Sequence, residues 1–406
     1  MDYPKMLRVR QIFERTRLKD VEGQVGREIE RVGLPGDLGD GAEIAVAVGS
    51  RWISNLVPIV RKTVAALKEA GLKPFIVPAM GSHGGATAPG QRNLLKGLGI
   101  SEETIGVSVI SSMEVVDLGE IAKGWPVYLD KKAFSARGIV VINRVKPHTA
   151  FKGEIESGLM KMLTVGLGKH RGAEIMHRFG LNDAVPRAAR IIIDKAPVLL
   201  GVAILENSLD ETMEIRAALP HEFEEIDRTL LARSKELIPK IPFDRIDILI
   251  VEQMGKDISG TGMDTNVIGM WRRLGIGEQK PDIGCLIVLD LTAASEGNAH
   301  GMGLADLTTK RLAEKIDYSK TYANALTAGY WGGARLPIVL ETDKDAIDAA
   351  FRRFDPKEVT VVRIKNTLEL EELAVSESLA AETLEKGIEV IGKPQRLSFD
   401  SLGNLT

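Results

Sequence analysis

The sequence is short of cysteine, of aromatic side chains and of net charge, and each shortage removes a class of protein. With one cysteine, Cys285, no intrachain disulfide can form, so stability has to come from buried apolar surface. Cys285 lies in the apolar stretch from Ile283 to Leu289, where a buried strand position is expected and not a reactive thiol. The net charge of -3, from 53 Lys and Arg against 56 Asp and Glu, provides no positive excess for a nucleic-acid backbone, and no nucleic-acid partner is expected. No apolar run reaches about 18 residues, so no membrane span is expected either. The first residues carry charge at Asp2, Lys5, Arg8 and Arg10 and lack the apolar centre of a signal peptide, which leads to the expectation of a cytoplasmic protein. No internal repeat or low-complexity tract interrupts the chain.

What is present is a balanced globular composition, 44% hydrophobic and 27% charged over 406 residues. Single cores stop growing near about 250–300 residues, so two or three compact units are expected, with a cleft between two domains as the first place to look for a site. Short β-branched runs alternate with segments of helical period, the mark of an α/β fold with mostly parallel sheets. Strands are predicted at Glu43 to Val48, Lys73 to Pro78, Gly138 to Asn143 and Val198 to Leu205. The helix after the first of these carries Ile53, Leu56, Val57, Val60, Val64 and Leu67 on one face. Further helices are predicted at Asp183 to Asp194 and Glu222 to Glu236. Two prolines in Ile238 to Phe243 mark a boundary. Strands are then predicted at Ile246 to Val251, Gly284 to Leu289, Pro337 to Leu340 and Val359 to Ile364, and helices at Leu304 to Ile316, Lys344 to Phe354 and Leu368 to Leu384. This divides the chain into an N-terminal α/β domain, 1–242, and a C-terminal α/β domain, 243–393, with the tail 394–406 packing back on the first.

The chemistry concentrates in the first domain. Of six histidines, His83, His148, His170 and His177 fall between positions 83 and 177. His83 sits in Gly81-Ser82-His83-Gly84-Gly85 and His148 in Arg144-x-x-Pro147-His148. Both segments follow predicted strands, and ligands of open α/β sheets bind at the carboxyl ends of strands. Each could equally be a structural residue. Lys161 stands among apolar neighbours in Ser157-Gly158-Leu159-Met160-Lys161-Met162-Leu163, either snorkelling to the surface or desolvated and available for covalent attachment. His177 suits a metal ligand or a helix C-terminal cap.

Taken in order, Gly81-Ser82-His83, Arg144-x-x-Pro147-His148, Lys161 near a glycine and His177 sixteen positions later resemble the lactate racemase family, whose members carry a nickel-pincer nucleotide. The likeness runs from about Val46 to His177, and more loosely from about Ile246 to Trp331. It implies two α/β domains with the cofactor in the cleft between them. It also implies a pyridinium mononucleotide joined to Lys161 through a thioamide, a square-planar nickel completed by His177, and His83 and His148 as acid and base. The implied reaction is racemisation or epimerisation of a small-molecule 2-hydroxy acid by hydride removal and return, with dedicated maturation enzymes as partners. A soft, tetragonal centre with sulfur donors and one imidazole suits nickel better than zinc.

A substrate carboxylate needs cations, and Arg51, Arg144, Lys146 and Arg272 are the candidates, with Trp331 as an aromatic wall or a packing residue. Gly49-Ser50-Arg51 aligns with a family motif that normally has an acidic residue before a Thr-Arg pair, and that acid is missing here. Asp264-Thr265-Asn266 resembles the family's Asp-Gln-Asn segment, but Gly269 and Arg272 stand where glutamine and lysine are expected. Arginine offers a bidentate clamp where lysine offers a point charge, so the expected substrate is larger or more acidic than lactate. Competing readings are a zinc hydrolase using His83, His148 and His177, a Schiff-base aldolase using Lys161, and a non-catalytic carrier of the metallocofactor or a nucleotide.

Overall fold

The computed structural model describes every residue except 1, 2, 37, 51 and 276. The chain divides into two compact units, one of residues 14–238 and one of residues 1–13 with 239–406. This corrects the predicted division in two places. The first strand, β1 (Lys5–Arg10), belongs to the second unit, and so does the tail, whose Leu397 and Phe399 pack there beside Tyr3 and Phe351. Pairing partners far apart in sequence leave no local signal, which is why neither terminus could be placed by its own pattern.

The 14–238 unit is built on a five-stranded sheet of β2 (Glu43–Val48), β3 (Lys73–Pro78), β6 (Gly138–Arg144), β7 (Val198–Glu206) and β8 (Thr212–Ala218), in the order β3-β2-β6-β7-β8. The first four are parallel and β8 runs against β7. A separate hairpin joins β4 (Val115–Glu120) and β5 (Pro126–Asp130). Period-2 alternation sorts the side chains of β2 between two cores. Ile44, Val46 and Val48 pack with Val25, Ile29, Ile59, Val60 and Leu67 of the helices Val21–Val32 and Leu56–Glu69. The small Ala45 and Ala47 face the other core, which holds Leu159, Met160, Met162 and Leu163 together with the helices Leu181–Lys195 and Phe223–Leu237. Their size lets the 159–163 segment lie close to the sheet. After β3 the chain crosses back to place β6 on the other side of β2, so the sheet has its topological switch point between β2 and β6.

The second unit holds β9 (Arg245–Met254), β10 (Asp282–Leu291), β11 (Leu307–Thr309), β12 (Ile338–Leu340), β13 (Val361–Ile364), β14 (Glu372–Ser376), β15 (Glu389–Val390) and β16 (Gln395–Arg396). They join β1 in the order β12-β11-β10-β9-β13-β14-β1-β15, with β16 also on β1. The run from β12 to β13 is parallel, and β14 is antiparallel to both β13 and β1. Two predicted helices are corrected here. Within 304–316 the chain first forms β11, because Thr308 and Thr309 bond the Val288 and Leu289 carbonyls at 2.8 and 2.6 Å, and only Lys310–Glu314 is helical. Within 368–384, Leu373 and Val375 point to one core and Ala374 to the other, a strand alternation, and the helix is confined to Ala380–Glu385.

Among the described residues no helix is long and apolar enough to cross a membrane. Cys285 occupies a buried position on β10, and burial, with Asp306 nearby, pushes its thiol up to about 12. The native chain is therefore expected to react negligibly with a thiol-specific disulfide reagent at pH 8, and to release one equivalent once unfolded in guanidinium. Full reaction of the native protein would contradict the burial.

Candidate active site

At the carboxyl ends of β2, β3 and β6 the chain is knit into one surface. The Ala79 N–H donates to Val48 O at 2.8 Å, and the Gly81 N–H donates to Gly166 O at 3.1 Å. Asn143, near the end of β6, donates from Nδ2 to Gly158 O at 2.8 Å. Gly158 opens a single turn of α-helix, Leu159–Lys161, which widens into a π-helical stretch, Met162–Gly166, before the helix Lys169–Phe179 begins. Such widened turns occur disproportionately at functional sites.

The start of that turn is held by a residue from another element. Asp227, on the helix Phe223–Leu237, is 1% exposed, and its two carboxylate oxygens accept the Leu159 and Met160 N–H groups at 2.9 Å each. A helix leaves its first N–H groups without internal partners, and a buried acid fills that need here. A Cβ at residue 158 would lie 2.2 Å from Asp227 Oδ1, so only glycine permits the approach. Lys161, partly buried, is the next residue but one after Leu159. Burial raises Asp227 to about 7, against the lowering effect of its two backbone donors.

The predicted histidines fall around this segment. His83 is exposed, and its Nδ1 meets the Ser50 hydroxyl across a short contact from the end of β2. Gln91, buried, donates to Gly81 O at 2.8 Å and to His83 O at 3.3 Å and so shapes the loop. His148 is partly buried, with its ring against Phe151 at 4.6 Å. Its backbone N–H donates to Glu156 at 2.6 Å, and its Nδ1 accepts the Ala150 N–H at 3.0 Å. That bond puts the proton of the neutral ring on Nε2. Glu156, 1% exposed, is paired with Lys235 at 2.8 Å, so the helix carrying Asp227 also anchors the His148 loop. His177, partly buried, lies in the last turn of Lys169–Phe179, a helix whose Gly172 and Ala173 sit against Thr164 and Gly81.

Lys169 was not singled out by the sequence, yet it is fully buried in a left-handed conformation, φ +56°. Its amine donates to Pro78 O and pairs with Asp130 at 3.0 Å, tying the end of β3 to the β4–β5 hairpin. Burial lowers its pKa and Asp130 opposes that shift. Arg144 is paired with Glu206 and Asp210. Arg51 lies outside the described residues.

Arg272 and Trp331 belong to the second unit. Arg272 donates to Leu304 O at 3.0 Å and Ile283 O at 2.7 Å, and its side chain is 9% exposed. These carbonyls brace it, with Asp306 at 3.5 Å, while its Nε is buried without a hydrogen-bond partner. Trp331 is 72% exposed and begins a 3-10 turn, Trp331–Ala334. The aromatic contacts belong instead to Tyr330, which meets Arg273 and His300. Asp264 caps the short helix Thr265–Ile268, accepting the Asn266 N–H at 2.8 Å.

Among the described residues no group of three or more His, Cys, Asp or Glu side chains is placed to share a metal ion. The sequence matches no family model and none of the curated proteins. Its structure is similar to that of the lactate racemase apoprotein from Thermoanaerobacterium thermosaccharolyticum, with a TM-score of 0.53 and 14% identity over 88% of this chain and 94% of that one. At this identity the likeness establishes a shared α/β fold.

Asp227→Ala should destabilise the chain by about 3 kcal/mol, since two buried N–H groups lose their acceptor. The sign with pH follows from the raised carboxyl. The folded chain keeps a proton there that the unfolded chain releases near about pH 4, so this contribution is full below that pH and is lost as pH rises through about 7. The stability advantage of the wild type over Asp227→Asn should shrink across that window in urea titrations. A constant difference from pH 4 to 8 would refute the raised carboxyl.

Proposed function

We propose that this chain is a racemase or epimerase of a 2-hydroxy acid, working with a nickel-pincer nucleotide carried on Lys161. The observation that carries the proposal is the clamped turn at Gly158. It sets Lys161 on a fixed stretch of backbone at the carboxyl ends of β2 and β6, where a doubly wound sheet binds its ligands. The fold likeness to a lactate racemase supports it, as does the order of His83, His148, Lys161 and His177 along the chain.

The donor set suits such a group. A pincer supplies most of a nickel's coordination plane from its own atoms and asks the protein for one amine and one imidazole, which Lys161 and His177 would provide. When bound, the group supplies a hydride acceptor, so that C2 is not deprotonated beside a carboxylate that resists a second negative charge.

The chain's own side chains would handle the proton. As the C2 hydrogen leaves, the substrate hydroxyl must lose its proton, and His83, with Nδ1 on the Ser50 hydroxyl, would take it on Nε2. His148, whose neutral ring carries its proton on Nε2, would meet the substrate oxygen as a donor. Glu156 and Lys235 would hold that ring's loop in register with the Lys161 turn. The substrate is proposed to be larger or more acidic than lactate, such as a hydroxy diacid or a sugar acid. Maturation enzymes would be needed to build the cofactor, and a cytoplasmic setting fits this chemistry.

After co-expression with pincer maturation enzymes, intact-mass analysis should find an added mass on the wild type and none on Lys161→Ala, with about one nickel per chain. His83→Gln should keep the added mass and lose interconversion of enantiomers by about a hundredfold or more. A panel of chiral hydroxy acids should then rank a diacid or sugar acid above lactate. An unmodified Lys161 under these conditions would end the proposal, and faster turnover of lactate than of every larger acid would end its substrate assignment.

A further inference from the structure

Lys169 is buried and charged, and no step of the proposed reaction uses it. The chain gives it an unfavourable place. Its backbone takes the left-handed conformation, φ +56°, in which a residue with a side chain is strained, and the residue is 0% exposed. A methionine of similar length would bury no charge. It would also lack the three N–H donors of an ammonium, and here each of the three has an acceptor. The amine donates to the carbonyl of Pro78, the last residue of β3, pairs with Asp130 at 3.0 Å and donates to Gln91 Oε1 at 3.4 Å.

The contact to Gln91 settles which way that amide points. Gln91, fully buried on the helix Ala88–Gly97, has one end that accepts and one that donates. With Oε1 turned to the ammonium, the NH2 end faces the loop and donates to Gly81 O at 2.8 Å and to His83 O at 3.3 Å. Turned over, the amide would set its donors against the ammonium and its oxygen against two carbonyls. The charge on Lys169 thereby fixes two carbonyls of the loop that carries the His83 ring.

Lys169 also belongs to the other side of this junction. It opens the helix that carries His177 and follows the turn and π-helical stretch that begin with Lys161. The two sides touch, because the Gly81 N–H donates to Gly166 O at 3.1 Å, and a Cβ on Gly81 would fall 3.1 Å from Val165 O and 3.2 Å from Ala173 Cβ. Asp130 adds a further tie through its own N–H, which donates to Leu167 O at 2.7 Å, while its Oδ1 accepts the Ala133 N–H at 2.8 Å. One ammonium joins the exit of β3, the His83 loop and the segment from Lys161 to His177.

We propose that Lys169 is a positioning residue which, acting through Gln91, fixes the His83 loop against the segment that carries Lys161 and His177. Its effect on turnover rests on the racemase reading, and its effect on the His83 loop does not.

Two variants separate this role from a contribution to stability alone. Lys169→Met combined with Asp130→Asn removes both charges together and keeps the acceptor for Ala133, so no lone charge is left buried. Gln91→Met keeps the ion pair and removes the donors to the loop. In the full-length chain without cofactor, both should shift the proton resonance of the His83 imidazole, assigned by its loss in His83→Gln, while that of His300 in the other unit stays in place. In the cofactor-loaded chain, with the fastest hydroxy acid of the panel as substrate, both should lower kcat by about tenfold and change KM by less than about twofold, because a misplaced proton carrier costs turnover and not binding. All three substitutions together should cost no more than either variant, since both cut one linkage. Should the charge-free pair fail to fold by circular dichroism, Gln91→Met carries the same two readouts. An unmoved His83 resonance, full turnover in the charge-free pair, or additive losses would each overturn the positioning role. A loaded wild type without turnover would end the racemase reading and leave the resonance to decide the role of Lys169.

Discussion

A single buried carboxylate, Asp227, governs how the first unit presents its chemistry. Its two oxygens hold two consecutive N–H groups at the head of the turn that carries Lys161, while Asn143 holds the carbonyl of the preceding glycine from the end of β6. The peptide at Gly158 is therefore fixed from the helix side and from the sheet side together. An isolated turn of three residues cannot stabilise itself, because nucleating a helix fixes several dihedrals for one hydrogen bond. Here the missing stabilisation comes from outside the turn. The same helix reaches the His148 loop through Lys235 and Glu156, two turns further along. One rigid element thus sets both the lysine and the second histidine, and a shift of that helix would move both.

This dependence explains which parts of the molecule were legible in the sequence. The strands Glu43–Val48 and Lys73–Pro78 were read to the residue, because parallel strands buried on both faces give continuous apolar runs. The long helices Leu56–Glu69 and Leu181–Lys195 were read to within a few residues from their apolar stripes, even with Pro58 and Pro186 in them. What escaped was non-local. β1 and β14 pair across most of the chain's length, and β14 lies inside a stretch where Leu370, Leu373 and Ala374 also fit a helical count. Asp227 escaped for a similar reason. On a polar-faced helix an aspartate reads as solvated, and only the packing of Leu159 onto that helix turns it into a buried acceptor.

The cations make the same point. Sequence spacing named Arg144 and Arg272 because each follows a recognisable motif, yet both bond groups of their own unit, the first Glu206 and Asp210 and the second carbonyls. For Arg144, burial works against the charge, and the two carboxylates outweigh it and keep the guanidinium's pKa up. Arg273 has burial without that compensation, and its pKa is lowered. Spacing can say where an arginine stands along the chain, but not whether an acid stands opposite. A displacement of one residue along a short helix, Trp271–Leu274, separates a brace from an open charge. The exchange of Trp331 for Tyr330 as the ring in contact follows the same logic, since adjacent residues in a turn face different ways.

The two histidines of the first unit are unequal, and that inequality bears on the proposed reaction. For an imidazole to serve as a proton carrier, one ring nitrogen must gain and lose a proton while the other keeps a partner suited to both states. A hydroxyl can turn around, accepting from an N–H in one state and donating to a lone pair in the other, so Ser50 can accompany His83 through a full cycle. A backbone N–H cannot turn around. The Ala150 N–H on Nδ1 of His148 requires a lone pair there, and protonating that nitrogen would set two donors against each other. A carboxylate in place of Ser50 would favour the charged ring throughout, whereas a hydroxyl favours neither state. In the proposed reaction His83 would alternate between its two states, paired with a His148 whose neutral ring donates.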